Sequence, residues 1–289
     1  MTLTDLPTKV DFHMHTNVSD GTDSPEEILC RVCDAGIRMF SVTDHDAVKA
    51  AGIIRARMVP GDPVFVPGVE FSCEDAQGKY HILGYGFDPE SEAMESLIRR
   101  GHTIRMEKVG MRLGMLRDRF GFAFSDEDVR SILELDNPGK PHIARMMIRY
   151  GYASDIKQAI KTYIDRLEIP ETHLRPEEAV SGIISGGGIP VLAHPVFGDG
   201  DDLILGEDLA GRVGRLREMG VAGLEGFYSG YTEKIRSEVL TLAESYGMMV
   251  TAGSDYHGGN KLVRLGDTGL EGAGVYPVGL RAFIERVWR

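Results

Sequence analysis

Residues 39–46 read Met-Phe-Ser-Val-Thr-Asp-His-Asp. Five residues with the length and character of a buried strand run straight into three side chains that are costly to bury. A strand without a polar face needs cover on both sides, which parallel sheets flanked by helices provide. In an α/β barrel the carboxyl ends of the strands form the functional face, so an Asp-His-Asp terminus is placed for chemistry. Further apolar runs stand at 10–13, 64–71, 80–87, 189–194, 223–228 and 248–253, each of strand length. Helical patterns separate most of them. Ser24-Pro25-Glu26-Glu27 is a capping box with Pro at the first helical position, and Gly36 ends that helix. Pro176-Glu177-Glu178 opens another, which stops at Gly186-Gly187-Gly188. Helices over 207–219 and 232–246 stop at Gly220 and Gly247. The alternation predicts an α/β fold with a parallel sheet, and about seven strands predict a barrel rather than an open sheet.

One stretch breaks the rhythm. From 91 to 174 the pattern is helical throughout, with Ser125 and Ser154 as expected caps. It reads as an all-α insertion, leaving 1–90 and 175–289 as the main domain. The chain of 289 residues is long enough to bury a large core unaided. Its 32 basic and 44 acidic residues give a net charge of −12, which argues against a long phosphate-backbone interface but not against a local basic pocket. Three cysteines build no disulfide framework, residues 1–9 hold no apolar signal core, and no run of 18 apolar residues occurs. A cytoplasmic protein is the expectation. Cys30 and Cys33 fall inside a helix with no second pair, so they read as buried small side chains rather than a zinc or redox motif. His102 and His173 read as surface or packing residues, and Met106–Met115 with Met146-Met147 as core of the insertion.

Chemistry gathers at the strand ends. His13-Met14-His15 places two imidazoles at i and i+2 on one side of a strand, where both can reach one ion. Asp20 follows in Ser19-Asp20-Gly21. His45 closes the second run, Glu70 the third, and His81 lies on the fourth. His194 ends the fifth in Ala193-His194-Pro195, and Asp255 and His257 end the last in Ser254-Asp255-Tyr256-His257. Six of these nine side chains are histidines, in a chain that has nine histidines in all. Imidazole and carboxylate without thiolate suit manganese, iron or zinc in a working site rather than a structural zinc knot. Nine ligands exceed one ion and suffice for two or three if a carboxylate bridges.

Taken in order, His-x-His-Thr, Ser-Asp-Gly, Thr-Asp-His-Asp, Gly-Val-Glu, His81, Ala-His-Pro and Ser-Asp-x-His resemble the polymerase and histidinol phosphatase (PHP) family of metal-dependent phosphoesterases. The resemblance spans nearly the whole chain. It implies a distorted seven-stranded βα (TIM-like) barrel with a trinuclear metal centre, commonly Mn2+. His13, His15, Glu70 and Asp255 would hold one ion, Glu70, His81 and His194 a second, and Asp20, His45 and His257 a third. The 91–174 insertion resembles the cap of the small-molecule branch of the family. Gly139-Lys140-Pro141-His142-Ile143-Ala144-Arg145 matches that branch's Gly-Arg-Pro-His-x-Ala-Arg signature, with Lys140 as a departure that loses the bidentate fork of arginine.

The implied reaction is attack on phosphorus by a hydroxide generated between two ions, because adjacent divalent ions lower the pKa of shared water toward neutrality. Lys140, His142 and Arg145 are expected to clamp a second phosphate. Asp44, Asp46 and His194 are expected at the catalytic centre, the two aspartates as supporting or general-acid groups. Tyr228, in Phe-Tyr-Ser-Gly-Tyr after the sixth run, is expected at the rim against a ribose or base. The substrate expected is 5-phosphoribose 1,2-cyclic phosphate, taken on to free phosphate. The alternatives are a nucleoside 3′,5′-bisphosphate or a short RNA 5′ end, then histidinol phosphate. A metal-dependent C–N hydrolase fits less well, since Glu70 stands where such barrels need a carboxylated lysine. A small phosphorylated substrate is the partner expected, with no long nucleic acid, no membrane and no obligatory protein partner.

Overall fold

The computed structural model describes residues 7, 9–169, 173–198, 202–271 and 276–288. The fold is mixed α/β. Among the described residues, eight strands form two sheets, a three-stranded sheet ordered β1-β2-β3 and a five-stranded sheet ordered β4 to β8. The strands are β1 Val10–Asp11, β2 Met39–Phe40, β3 Val64–Phe65, β4 Gly68–Asp75, β5 Gly78–Tyr85, β6 Ile189–Leu192, β7 Gly223–Tyr228 and β8 Met249–Gly253.

This departs from an all-parallel, seven-stranded barrel in two ways. Residues 64–71 are not one strand: Val66-Pro67 divide them into β3 and β4, because proline cannot donate to a ladder. The strands β4 and β5 form a hairpin through Asp75–Gly78, and β5 also pairs antiparallel with β6. Parallel order holds from β1 to β3 and from β6 to β8. The two sheets meet along β1 and β8, and at isolated parallel bridges between Met14 and Tyr256 and between His45 and Glu70. Backbone hydrogen bonds reinforce these seams: Phe12 N donates to Ala252 O, His15 N to Tyr256 O and Asp255 N to His13 O at one, and Asp46 N to Glu70 O and Glu70 N to Asp44 O at the other.

The helices around the sheets form where the caps place them. Ser24 closes a capping box on α1 (Pro25–Asp34), which packs with α2 (Lys49–Arg57) on the small sheet around Ile28, Val32, Ile37, Phe40 and Ile54. The large sheet buries Phe71, Ile82, Leu192, Leu224 and Phe227 against α7 (Pro176–Ser185), α8 (Gly206–Glu218), α9 (Glu233–Ser245) and α10 (Val278–Val287).

Between β5 and α7 the described residues form helices and their connecting turns, with no strand. They comprise α3 (Glu92–Phe120), α4 (Asp126–Leu133), α5 (Lys140–Arg149) and α6 (Ile156–Gln158), continued by a π-helical turn at Ala159–Tyr163 and a 3-10 turn at Ile164–Arg166. Their side chains build a separate apolar cluster around Val109, Leu116, Ile143, Met147 and Ile164. The 29 residues of α3 serve both cores, its first turns burying Met94 and Leu97 on the large sheet. Ser125 caps α4 as expected, but α6 is capped by Asp155 and not by Ser154, whose hydroxyl donates to that aspartate instead. Cys30 and Cys33 lie inside α1, yet both are exposed and not buried, since the helix turns that face outward. No helix among the described residues is long and apolar enough to cross a membrane.

Candidate metal centre

The nine strand-end side chains converge. Glu70, the third residue of β4, is 1% exposed and sits among five imidazoles. Its Oε2 lies 3.3 Å from His13 Nε2, 3.1 Å from His15 Nε2 and 3.2 Å from His45 Nδ1. Its Oε1 lies 2.9 Å from His81 Nδ1 and 3.4 Å from His194 Nε2. Asp255 Oδ1 lies 3.5 Å from His13 Nε2, 3.4 Å from His15 Nε2 and 3.3 Å from His257 Nδ1. Asp20 faces His15 at 3.7 Å, His45 at 3.9 Å and His257 at 3.4 Å. Three groups bring their ligand atoms within 4.8 Å of one another: His15, Asp20, His45 and His257; His13, His15 and Glu70; His45, Glu70 and His81.

These atoms fit divalent ions better than they fit one another. His13 Nε2, His15 Nε2, His45 Nδ1 and Glu70 Oε1 are buried and make no hydrogen bond. Buried polar atoms left this way are costly unless something else satisfies them, and a cluster of nitrogen and oxygen lone pairs aimed at common points calls for cations. Burial works to raise the carboxyl groups, yet His81, His13 and His45 hold Glu70 well below the ordinary range. Lys261, His13 and His257 do the same for Asp255. Both therefore stand ready as charged ligands.

Backbone and outer contacts hold this geometry. Among the described residues, the non-glycine residues with positive φ are Asp46, His194 and Asp255, all at the site. Such conformations cost about 1–3 kcal/mol each and persist where surroundings enforce them. Asp44 uses both oxygens on the β1 loop, accepting from Thr16 N, Thr16 Oγ1 and Ser19 Oγ at 2.7 Å each. Asp46 is held by Arg105, whose Nε and Nη2 both donate to Oδ2, at 2.9 and 2.7 Å. Asp11 accepts from His13 N, Ser254 N, Ser254 Oγ and Gly266 N, tying the start of the His-x-His strand to the last strand end. Glu225, wholly buried in β7, accepts from His13 Nδ1 at 2.8 Å and from His194 N at 2.8 Å.

A cleft of about 890 Å3 opens onto the cluster. Asp20, His45, Asp46, His81 and His194 line it together with Arg105, Lys108, Arg112, Lys140 and His173. Lys140 belongs to the cleft and pairs with Asp165 at 2.6 Å. His142 accepts from Gly139 N at 3.0 Å and so caps α5, while Arg145 is exposed and is not among the cleft residues. Tyr228 is nearly buried, its hydroxyl donating to Asp255 Oδ2 at 2.9 Å. His102 packs against Asn137 at 3.2 Å. His173, read from sequence as surface or packing, pairs with Glu74 at 2.8 Å on the cleft wall.

The chain is 30% identical over 261 residues to phosphoribosyl 1,2-cyclic phosphate 1,2-diphosphodiesterase of Eggerthella lenta, covering 86% of this chain and 94% of that protein. The chain belongs to the PHP family of metal-dependent phosphoesterases. It is thus a metal-dependent phosphoric ester hydrolase. Two more PHP relatives are 26% identical. One is 3′,5′-nucleoside bisphosphate phosphatase of Chromobacterium violaceum, with 86% of this chain and 87% of that protein covered. The other is 5′-3′ exoribonuclease Rnm of Salmonella typhimurium, with 96% and 92% covered. No protein-family model matches the chain. Among solved structures, a protein of Bifidobacterium adolescentis assigned as a metal-dependent phosphoesterase has the same fold. Its TM-score is 0.82 at 23% identity, over 96% of both chains.

Sequence reasoning missed Arg105, Lys108, Arg112, Asp11 and Glu225 as residues of this PHP site. The three cations stand at i, i+3 and i+7 along one face of α3, a spacing visible in the sequence. Asp11 and Glu225 are charged residues inside runs that read as wholly buried, which is itself the signal.

Proposed function

We propose that this phosphoesterase hydrolyses 5-phosphoribose 1,2-cyclic phosphate and carries it on to free phosphate. The observation that carries the reading is the shared cleft, lined by the imidazole–carboxylate cluster and by Arg105, Lys108, Arg112 and Lys140. A sugar carrying two phosphorus groups needs both chemistries: ions at the group that reacts, fixed cations at the group that is only held. The cleft volume suits a small molecule. The name of the Eggerthella lenta relative supports the same substrate.

We read the nine ligands as a trinuclear centre of Mn2+. His13, His15, Glu70 and Asp255 would hold one ion, Glu70, His81 and His194 another, and Asp20, His45 and His257 the third. Such ions supply Lewis-acid charge and a lowered water pKa. This chain's own residues do the remaining work. Arg105, Lys108 and Lys140 bind the retained phosphate, with His142 and Arg145 behind them on α5. Asp46 fixes the Arg105 guanidinium, and Asp44 fixes the loop that carries Asp20. His194 is the imidazole assigned to the reacting group. Tyr228 orients Asp255. We take 1–90 and 175–289 as the catalytic domain, a distorted barrel closed through the bridges at Met14–Tyr256 and His45–Glu70, and 91–174 as its helical cap. A cytoplasmic enzyme with a small substrate and no obligatory protein partner completes the reading.

A nucleoside 3′,5′-bisphosphate or a short RNA 5′ end is the competing substrate. Phe197 on the cleft wall favours it, because bases stack on aromatic rings. Phosphate release from the cyclic ribose phosphate, adenosine 3′,5′-bisphosphate and histidinol phosphate, measured side by side with Mn2+, decides between them. The proposal expects the cyclic phosphate to give the highest kcat/KM. A preference of tenfold or more for the bisphosphate would overturn it.

A further inference from the structure

We infer that Glu225 is a positioning residue that sets the tautomer of His13 and the backbone of His194, and so couples two of the proposed ion sites. The inference rests on the metal-dependent reading above. Glu225 belongs to β7, a strand whose other members are apolar or glycine except Tyr228, and it is wholly buried. A carboxylate placed there for stability alone would be a poor choice, since burying it costs several kcal/mol unless it is well paired. The local fold makes room for it. A Cβ on Gly253 of the neighbouring β8 would stand 2.3 Å from Glu225 Oε1 and 2.3 Å from His13 Cβ, so only glycine admits the pair. A bulge between Glu225 and Phe227 shifts the β7–β8 register at the same point.

The hydrogen bonds say what the carboxylate does. Oε1 takes His13 Nδ1 at 2.8 Å, and Oε2 takes the His194 backbone N–H at 2.8 Å. A carboxylate only accepts, so His13 must carry its proton on Nδ1. Its Nε2 then presents a lone pair toward Glu70 Oε2 and Asp255 Oδ1, at 3.3 and 3.5 Å. An ion needs that lone pair. The second oxygen anchors His194, whose φ of 28° is a strained conformation without support. One side chain therefore orients a ligand from each of two groups that meet at Glu70.

Glutamine tests this because it has the same shape and only one acceptor. Two donors, His13 Nδ1–H and His194 N–H, face the side chain. In Glu225→Gln one of them must meet the amide NH2, or His13 must move its proton to Nε2 and lose its lone pair. The experiment titrates Mn2+ or Co2+ into purified wild type, E225Q and V239A, and reads affinity and stoichiometry by calorimetry and, for Co2+, by its absorption spectrum. Val239 is a buried residue of the same apolar cluster with no polar contact, so V239A weakens the core without touching the carboxylate. The expected result is a loss of affinity of about 10–100-fold in E225Q, with V239A close to wild type. If E225Q does not fold, E225D, which keeps both acceptors but withdraws them by one methylene, is expected to lose affinity in the same direction. Wild-type affinity in E225Q, or an equal loss in V239A, overturns the role of Glu225. Absence of ion binding in wild type would instead overturn the metal-dependent reading on which it rests.

Discussion

Lys108 shows what a single buried cation does to this protein. Burial first, then Arg112 and Arg105, bring its pKa down from the ordinary 10.5 to about 7. The unfolded chain keeps that proton up to the ordinary value, while the folded chain releases it near 7. Stability therefore rises with pH between about 7 and 10.5, and the gain is absent below 7. Lys108→Met is expected to remove that rise, as read from urea unfolding at pH 7 and pH 9. The same variant should raise KM for a phosphorylated substrate by about 10–100-fold, the worth of one charged hydrogen bond, with kcat little changed. The nine candidate ligands were legible in the sequence because most of them sit at or beside the end of an apolar run, and Asp20 in the loop that follows the first. Lys108 and its neighbours were not, because only tertiary packing brings one face of a long helix over the strand ends. Glu225 was hidden by the strength of the strand pattern around it.

The elements divide the labour, and α3 joins the two parts. A Cβ on its Gly101 would stand 2.9 Å from Asp46 Oδ1, so the helix lies as close as glycine permits. Four residues on, Arg105 grips Asp46. Gly101→Val is expected to cost about 1–3 kcal/mol by overpacking. It should lower kcat/KM for the cyclic phosphate while leaving the metal content of the purified protein unchanged. Ser24→Ala is the matching control, at the start of α1. It breaks the capping box of α1 and is expected to cost about 1 kcal/mol in thermal unfolding with activity intact. Helix ends were readable in advance, since Ser24, Pro25, Gly36, Pro176 and Gly247 act through local chemistry. For the strand partners the signal was present but passed over: eight residues between the runs 64–71 and 80–87 are too few for a parallel crossover, and Gln77-Gly78 allows a tight turn.

The molecule as a whole carries a charge of −12 and yet turns a group of cations into one cleft. That contrast favours a compact anion over a long one, because a polymer would meet the acidic exterior beyond the pocket. Ion removal should also be felt globally. A ligand held at 100 times its dissociation constant contributes about 2.7 kcal/mol. Treatment with a chelator is therefore expected to lower the melting temperature by several degrees, and added Mn2+ to restore it. An unchanged calorimetric trace would speak against ions bridging the strand ends.

The two sheets meet where Met14 faces Tyr256 and where His45 faces Glu70. The candidate ligands and the joining backbone thus lie on the same residues or on their neighbours, so cations held by the former would also clasp the latter. Deuterium uptake would make this visible. The amides of His15, Asp46 and Asp255 should exchange sooner once the cations are withdrawn, well before those of the β4–β5 hairpin, and the molecule would open along these joins like a seam losing its stitches.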